Sequence, residues 1–150
     1  MALRVRIDLR VKDRVFPVEA QIEDGVCIRI QTLKDDLTQR DSSLERALQD
    51  AIDGRTPKVE YPCDSSQLTP LQARIFEYMD REIPRGKTIT YGELAKALRT
   101  SPRGVASALA HNPLPLFYPC HRVVASQGSG GYSLAGIELK VALLESEMDR

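Results

Sequence analysis

The stretch "TYGELAKALRTSPRGVASALAHNP", residues 90–113, decides how the second half of this chain folds. Thr90 and Glu93 have the spacing of a capping box, in which each side chain satisfies a backbone N–H at the other's position. The helix "YGELAKAL" follows, and "RTS" is a short turn. Ser101 then caps a second helix. Pro102 occupies its first position, where a missing N–H costs nothing, and "HNP" ends it. Two short helices joined by a tight turn outline a helix-turn-helix.

Working outward, Thr69 and Pro70 start another helix, with Leu71, Ile75, Phe76 and Met79 facing inward as far as "IPRGK". The first third reads differently. "LRVRIDLRV", residues 3–11, alternates strictly, so Leu3, Val5, Ile7, Leu9 and Val11 share one strand face. "VEAQIEDGVCIRI" repeats the alternation around Asp24-Gly25, a hairpin turn signal. In "DSSLERALQDAIDG" the period becomes helical. Ser42 and Glu45 have capping-box spacing, Leu44, Ala47, Leu48, Ala51 and Ile52 form the apolar stripe, and Gly54 stops the helix. The reading is α/β: a small sheet-and-helix domain over 1–54, a linker over 55–68, and a helical domain over 69–150.

The 42% hydrophobic fraction suits one ordinary core or two small ones, and no apolar run approaches the length that spans a bilayer. The alternating N-terminus reads as neither signal nor transit peptide. Three cysteines without a CxxC pair argue against a disulfide framework and a cysteine-based zinc site, so no metal and a reducing, cytoplasmic compartment are expected. Net charge is zero but unevenly spread. Residues 85–136 hold six Lys/Arg (Arg85, Lys87, Lys96, Arg99, Arg103, Arg122) against Glu93 alone. Such a basic block suits a localised anionic partner, or only a solvated face. The second helix of the pair carries Gly104, Ala106, Ser107, Ala108 and Ala110, with Arg103 as its one long polar side chain. A major-groove reader needs several long donors. Small residues instead permit close backbone approach, to a neighbouring helix or to a ligand.

Ahead of Val123-Val124, Pro119, Cys120, His121 and Arg122 stand in sequence. A thiol is mostly protonated at neutral pH, and the thiolate is the nucleophile. His121 can take that proton, directly or through water, provided a tight turn brings the neighbours together. Pro119 makes such a turn plausible. A lone cysteine in an apolar stretch is more often inert. Cys-His-Arg after Asn112-Pro-x-Pro115 reads as chemistry.

"NPLPLFYPCHRVV" resembles the active-site signature of the O6-alkylguanine-DNA alkyltransferases. The similarity extends through "LTPLQARIFEYM", "IPRGKTITYGELAKAL", "PRGVASALAHNP" and "GGYSLAGIELKVALL", roughly residues 68–147. Residues 1–60 resemble the family only in outline, a small antiparallel sheet with a helix, ribonuclease H-like, and lack the metal ligands some members carry. The resemblance implies direct-reversal repair of double-stranded DNA containing O6-alkylguanine. The alkyl group passes once to Cys120 from a guanine flipped out of the duplex. It further implies that His121 is the base, oriented by Glu147. Asn112 braces the turn, with Pro119 and Arg122 in structural roles. Tyr91 donates to the guanine. Arg103 fills the gap in the stack. Thr90, Gly104, Ala106 and Ser107 meet the minor groove. Tyr132, Ser133, Val123 and Pro115 form the pocket. No cofactor, no membrane and a monomer are implied. The rival readings are a non-catalytic lesion binder, which would lack the cysteine, and a sequence-specific helix-turn-helix regulator, which would carry base-reading side chains.

Cys27 and Cys63 lack such neighbours. Burial is the expected state of Cys27, in its predicted strand. Pairing the two across 36 positions would staple the first domain to the linker, worth ~3–4 kcal/mol if the geometry allowed, though cytosolic disulfides are rare.

Overall fold

The computed structural model describes residues 2–128, 130–132 and 134–148. Three antiparallel strands form a meander: β1 (Leu3–Val11), β2 (Arg14–Glu23) and β3 (Val26–Thr32), in that spatial order. Both turns use left-handed backbone, at Lys12-Asp13 (φ 54° and 64°) and at Asp24-Gly25 (φ 52° and 77°). Such primed turns match the twist of the flanking strands. Pro17 sits in the central strand without breaking it, because β3 begins to pair only at Val18.

One sheet face is apolar, with Val5, Ile7, Leu9, Phe16, Val18, Ala20 and Ile30 buried; Leu3, expected there, is exposed. On the other face Glu19 is buried under a bidentate pair from Arg4 (3.0 and 2.9 Å) and the amides of Gln21 and Gln31. Those hydrogen bonds, Arg4's the largest, hold its carboxyl below the usual range against the opposing effect of burial.

A three-stranded sheet has two edges whose backbone groups need partners. Helix α1 (Ser42–Ile52) covers the β1 edge with side chains. Glu45 accepts from Asp8 N–H (2.8 Å), while Gln49 accepts from Arg10 N–H (2.9 Å) and donates to Arg10 O (2.8 Å). This corrects the capping-box reading of Ser42 and Glu45. The cap is Asp41, one residue earlier, accepting from Leu44 N–H at 2.9 Å, and Glu45 is drawn to the strand edge instead. On the β3 edge, Cys27 N–H donates to Pro62 O (2.8 Å), Asp64 N–H to Cys27 O (3.0 Å) and Ile30 N–H to Pro113 O (2.9 Å).

Helices α2 (Pro70–Glu82), α3 (Tyr91–Leu98) and α4 (Pro102–Ala110) start at Thr69, Thr90 and Ser101, and the Thr69–Gln72 and Thr90–Glu93 boxes are both formed. Arg99, in left-handed backbone (φ 55°), ends α3 and turns the chain into α4. These helices share one core with Cys120 and Val123. Helix α5 (Ile137–Met148) joins the two cores: Leu139, Ala142 and Leu143 complete the core beneath the N-terminal sheet, together with Leu114 and Leu134, while Lys140 and Glu147 reach the Cys120 turn. A parallel two-stranded ladder, β4 (Ile89–Thr90) with β5 (Val123–Val124), ties the start of α3 to the segment after Cys120. No helix among the described residues is long and apolar enough to cross a membrane.

Candidate active site

Cys120, His121 and Arg122 form a single 3₁₀ turn after Pro119 (φ −77°, ψ 66°). The turn is anchored from behind. Cys120 N–H donates to Tyr118 O at 2.7 Å, and the same carbonyl accepts from Asn112 Nδ2 at 3.1 Å. Asn112 Oδ1 accepts from Leu114 N–H at 3.0 Å, so one buried amide joins the end of α4 to the turn. The parallel pairing of Ile89 with Val123 and Thr90 with Val124 ties the start of α3 to the segment after the turn, and Tyr91 and Cys120 line one cavity.

His121 and Glu147 are 26 positions apart and meet at 2.8 Å, both side chains under a tenth exposed. Burial alone would raise the Glu147 carboxyl, but hydrogen bonds from His121 and Arg122 outweigh it and hold the group down at about 2. It is therefore an ionised acceptor. Arg122 donates to both its oxygens, from Nε at 2.9 Å and Nη2 at 2.9 Å. Facing a carboxylate, the imidazole carries its proton on Nε2, and burial keeps the ring neutral by lowering its pKa. Nδ1 is then a lone pair, buried and without a partner among the described residues.

A cavity of about 410 Å³ opens beside the turn, lined by Tyr91, Ala106, Leu109, Ala110, Cys120, Gly131 and Tyr132. Burial pushes the Cys120 thiol up to about 11, against hydrogen bonding to Asn112 and the positive charge of Lys140. Lys140 is the residue sequence reasoning missed. It is fully buried on α5, and Nζ donates to Val123 O (2.6 Å), Gly131 O (3.0 Å) and Tyr91 Oη (3.5 Å). Burial lowers its pKa to about 8. The available signal was a cation inside the apolar run "LKVALL", at the position a solvated lysine should avoid.

The other expected site residues divide. Tyr132 lines the cavity, while its hydroxyl is buried without a partner among the described residues. Arg103, Ala106 and Ser107 are exposed on α4. Gly104 is partly covered and donates its N–H to Ser101 Oγ at 3.0 Å. Thr90 is committed to its cap, accepting from Glu93 N–H at 3.0 Å. Two residues expected in the pocket wall are not in it. Val123 is buried in the helical core behind the turn, and Pro115 is buried where it bridges Tyr118. Ser133 lies outside the described residues. No group of three or more metal-ligating side chains occurs among the described residues.

Residues 70–149 match the family model described as 6-O-methylguanine DNA methyltransferase, DNA binding domain. Over this span, just above half its length, the chain belongs to that methyltransferase family. A methylated-DNA–protein-cysteine methyltransferase of Thermococcus gammatolerans is 52% identical over 80 residues, 53% of this chain and 45% of that relative, so the match spans less than half of that protein. The solved O6-methylguanine-DNA methyltransferase from Pyrococcus kodakaraensis superposes with a TM-score of 0.78 at 30% identity, covering 97% of this chain and 99% of that one. Mycobacterium tuberculosis OGT, solved in complex with DNA, gives 0.73 at 28% identity over 96% and 92%.

Proposed function

We propose that this chain repairs alkylated DNA by direct reversal, moving the alkyl group from O6 of guanine to Cys120 once per molecule. The observation that carries this reading is Cys120 in the wall of the cavity, on a turn whose His121 is held by Glu147 with its second nitrogen unpaired. Displacement at an alkyl carbon by sulfur needs a thiolate, and a thiol near 11 is not one at rest. In this reading His121 Nδ1 takes the proton through a bridging water, Glu147 stabilises the imidazolium, and Lys140 offsets the thiolate charge. A resting thiol kept neutral by burial also spares the protein from stray electrophiles.

The departing guanine carries the displaced electron pair. Tyr91, whose oxygen already accepts from Lys140, has its own proton free to donate to the base. The α3–turn–α4 pair would serve as a helix-turn-helix, with the small exposed face of α4 in the minor groove of double-stranded DNA. Arg103 would fill the stack of the flipped nucleotide. The N-terminal sheet and α1 would form a ribonuclease H-like support. We read the protein as a cytoplasmic monomer.

The test is intact-protein mass after incubation with duplex containing O6-methylguanine. One methyl group should appear on the peptide bearing Cys120, and Cys120→Ser should abolish it. Several turnovers per molecule would refute the reading, because a thioether offers water no adequate leaving group.

A further inference from the structure

Cys27 and Cys63 lie outside the machinery described so far. Cys27 is in β3 and fully buried. Cys63 belongs to a short segment running parallel along the β3 edge, where the two cysteines are register partners. That register is pinned from both sides, by Cys27 N–H on Pro62 O (2.8 Å) and Asp64 N–H on Cys27 O (3.0 Å). Paired residues on neighbouring strands sit ~5 Å apart at Cα, with both side chains on one face. A disulfide needs a Cα separation of ~4.4–6.8 Å, a range that includes the ordinary spacing of paired strands. At rest Cys27 Sγ lies 3.6 Å from Arg29 O and Cys63 Sγ 4.0 Å from Tyr118 Oη, so both side chains turn to close the bond. Both residues are free thiols in this structure.

We propose that Cys27 and Cys63 are a disulfide-forming site, closed by low-molecular-weight disulfides such as oxidised glutathione. Cys63 reacts first, because it is only partly buried whereas Cys27 is sealed in the core. Its thiolate attacks one glutathione sulfur, the glutathione S–S bond breaks, and one glutathione thiolate leaves. Cys27 then loses its proton and attacks the Cys63 sulfur of the mixed disulfide, expelling the second glutathione. Two protein thiols become one S–S bond. Two glutathione thiols form and take up the two cysteine protons.

Burial raises both protein thiols, Cys27 to about 12. Closure is therefore slow and driven by the preset register rather than by an activated thiolate. Cys120 packs in the helical core and is joined to this pair through Tyr118, whose hydroxyl lies 4.0 Å from Cys63 Sγ, and the staple leaves the acceptor thiol itself unpaired. The closed loop holds the whole of α1 and clamps the 62–64 segment to the sheet edge.

The experiment uses the full chain, incubated with oxidised glutathione, then treated with a thiol-alkylating reagent and digested without reductant. A joined pair of peptides carrying Cys27 and Cys63 is expected, with Cys120 labelled by the reagent. The melting temperature should rise by roughly 8–15 °C and fall back with dithiothreitol, as a cross-link closing a loop of this length implies. Cys63→Ser, a change at a partly exposed site, should show neither effect. Reaction that stops at a glutathione adduct on Cys63 overturns the proposal. So does equal labelling of Cys27 and Cys63 before and after oxidation, or a joined pair without a rise in melting temperature.

Discussion

Glu147→Gln is the sharpest probe of the proposed relay, because it changes one charge and almost no volume. Glu147 receives three hydrogen bonds, from His121 at 2.8 Å and from Arg122 at 2.9 and 2.9 Å. Holding its carboxyl at about 2 rather than 4.5 corresponds to ~3 kcal/mol of folded-state interaction. The amide removes most of that and leaves the partly buried Arg122 charge without its counter-ion. It does a second thing. The amide NH₂ is a donor, so it favours the tautomer in which His121 Nε2 accepts and Nδ1 carries the proton. A protonated Nδ1 cannot deprotonate Cys120. A general base contributes ~10²–10⁴-fold, so the single-turnover rate on O6-methylguanine duplex should fall by at least ~10²-fold. The assay is methyl-transfer rate against time at a temperature where circular dichroism shows both proteins folded. A folded Glu147→Gln protein reacting within ~3-fold of the parent would refute the assignment of His121 as base.

The remaining predictions follow the same geometry. Because the folded Glu147 carboxyl lies below 4.5, its stabilisation is present above that pH and is lost as pH falls toward 2; the stability gap between the parent and Glu147→Gln, measured by denaturant titration, should shrink across that window. Lys140 sits at about 8 against an ordinary 10.5, so its buried charge costs stability below pH 8 and that cost lifts as pH rises to 10.5. Parent stability relative to Lys140→Met should climb by ~3 kcal/mol over this range, and a flat difference would contradict it. Gly130→Ala places a Cβ 2.9 Å from Tyr91 Cε2 at a φ of +78°, so it should destabilise by ~1–3 kcal/mol in thermal melts and slow transfer by displacing Tyr91. Arg103→Ala should slow repair of methylated duplex more than attack on free O6-methylguanine, since only duplex requires an unstacking cost of a few kcal/mol to be met. Equal slowing of both would remove its role in the stack.

Local chemistry was legible in the chain itself. Thr69, Thr90 and Ser101 cap helices because a side-chain oxygen and a backbone N–H three residues away meet whatever lies beyond them, and Asp24-Gly25 turns because its backbone tolerates positive φ. Strict alternation marked β1, and Pro-Cys-His-Arg marked the turn that carries the thiol. The α1 cap was misread by one residue, since a neighbouring strand competed for Glu45. Tertiary structure alone decided what depends on groups far apart in sequence. The strand edges of β1 and β3 find partners in α1, in residues 62–64 and in Pro113, and no local rule names them. Cys27 and Cys63 became register partners because that edge had to be covered. Lys140 stands out in sequence only as a cation inside an apolar run; its partners exist only once α5 folds it under Val123, Gly131 and Tyr91, where three oxygens and burial set its charge and its place. Burial and hydrogen-bond satisfaction are properties of the closed core, so the residues that tune Cys120 emerge only once the sheet, the helices and the turn have packed together.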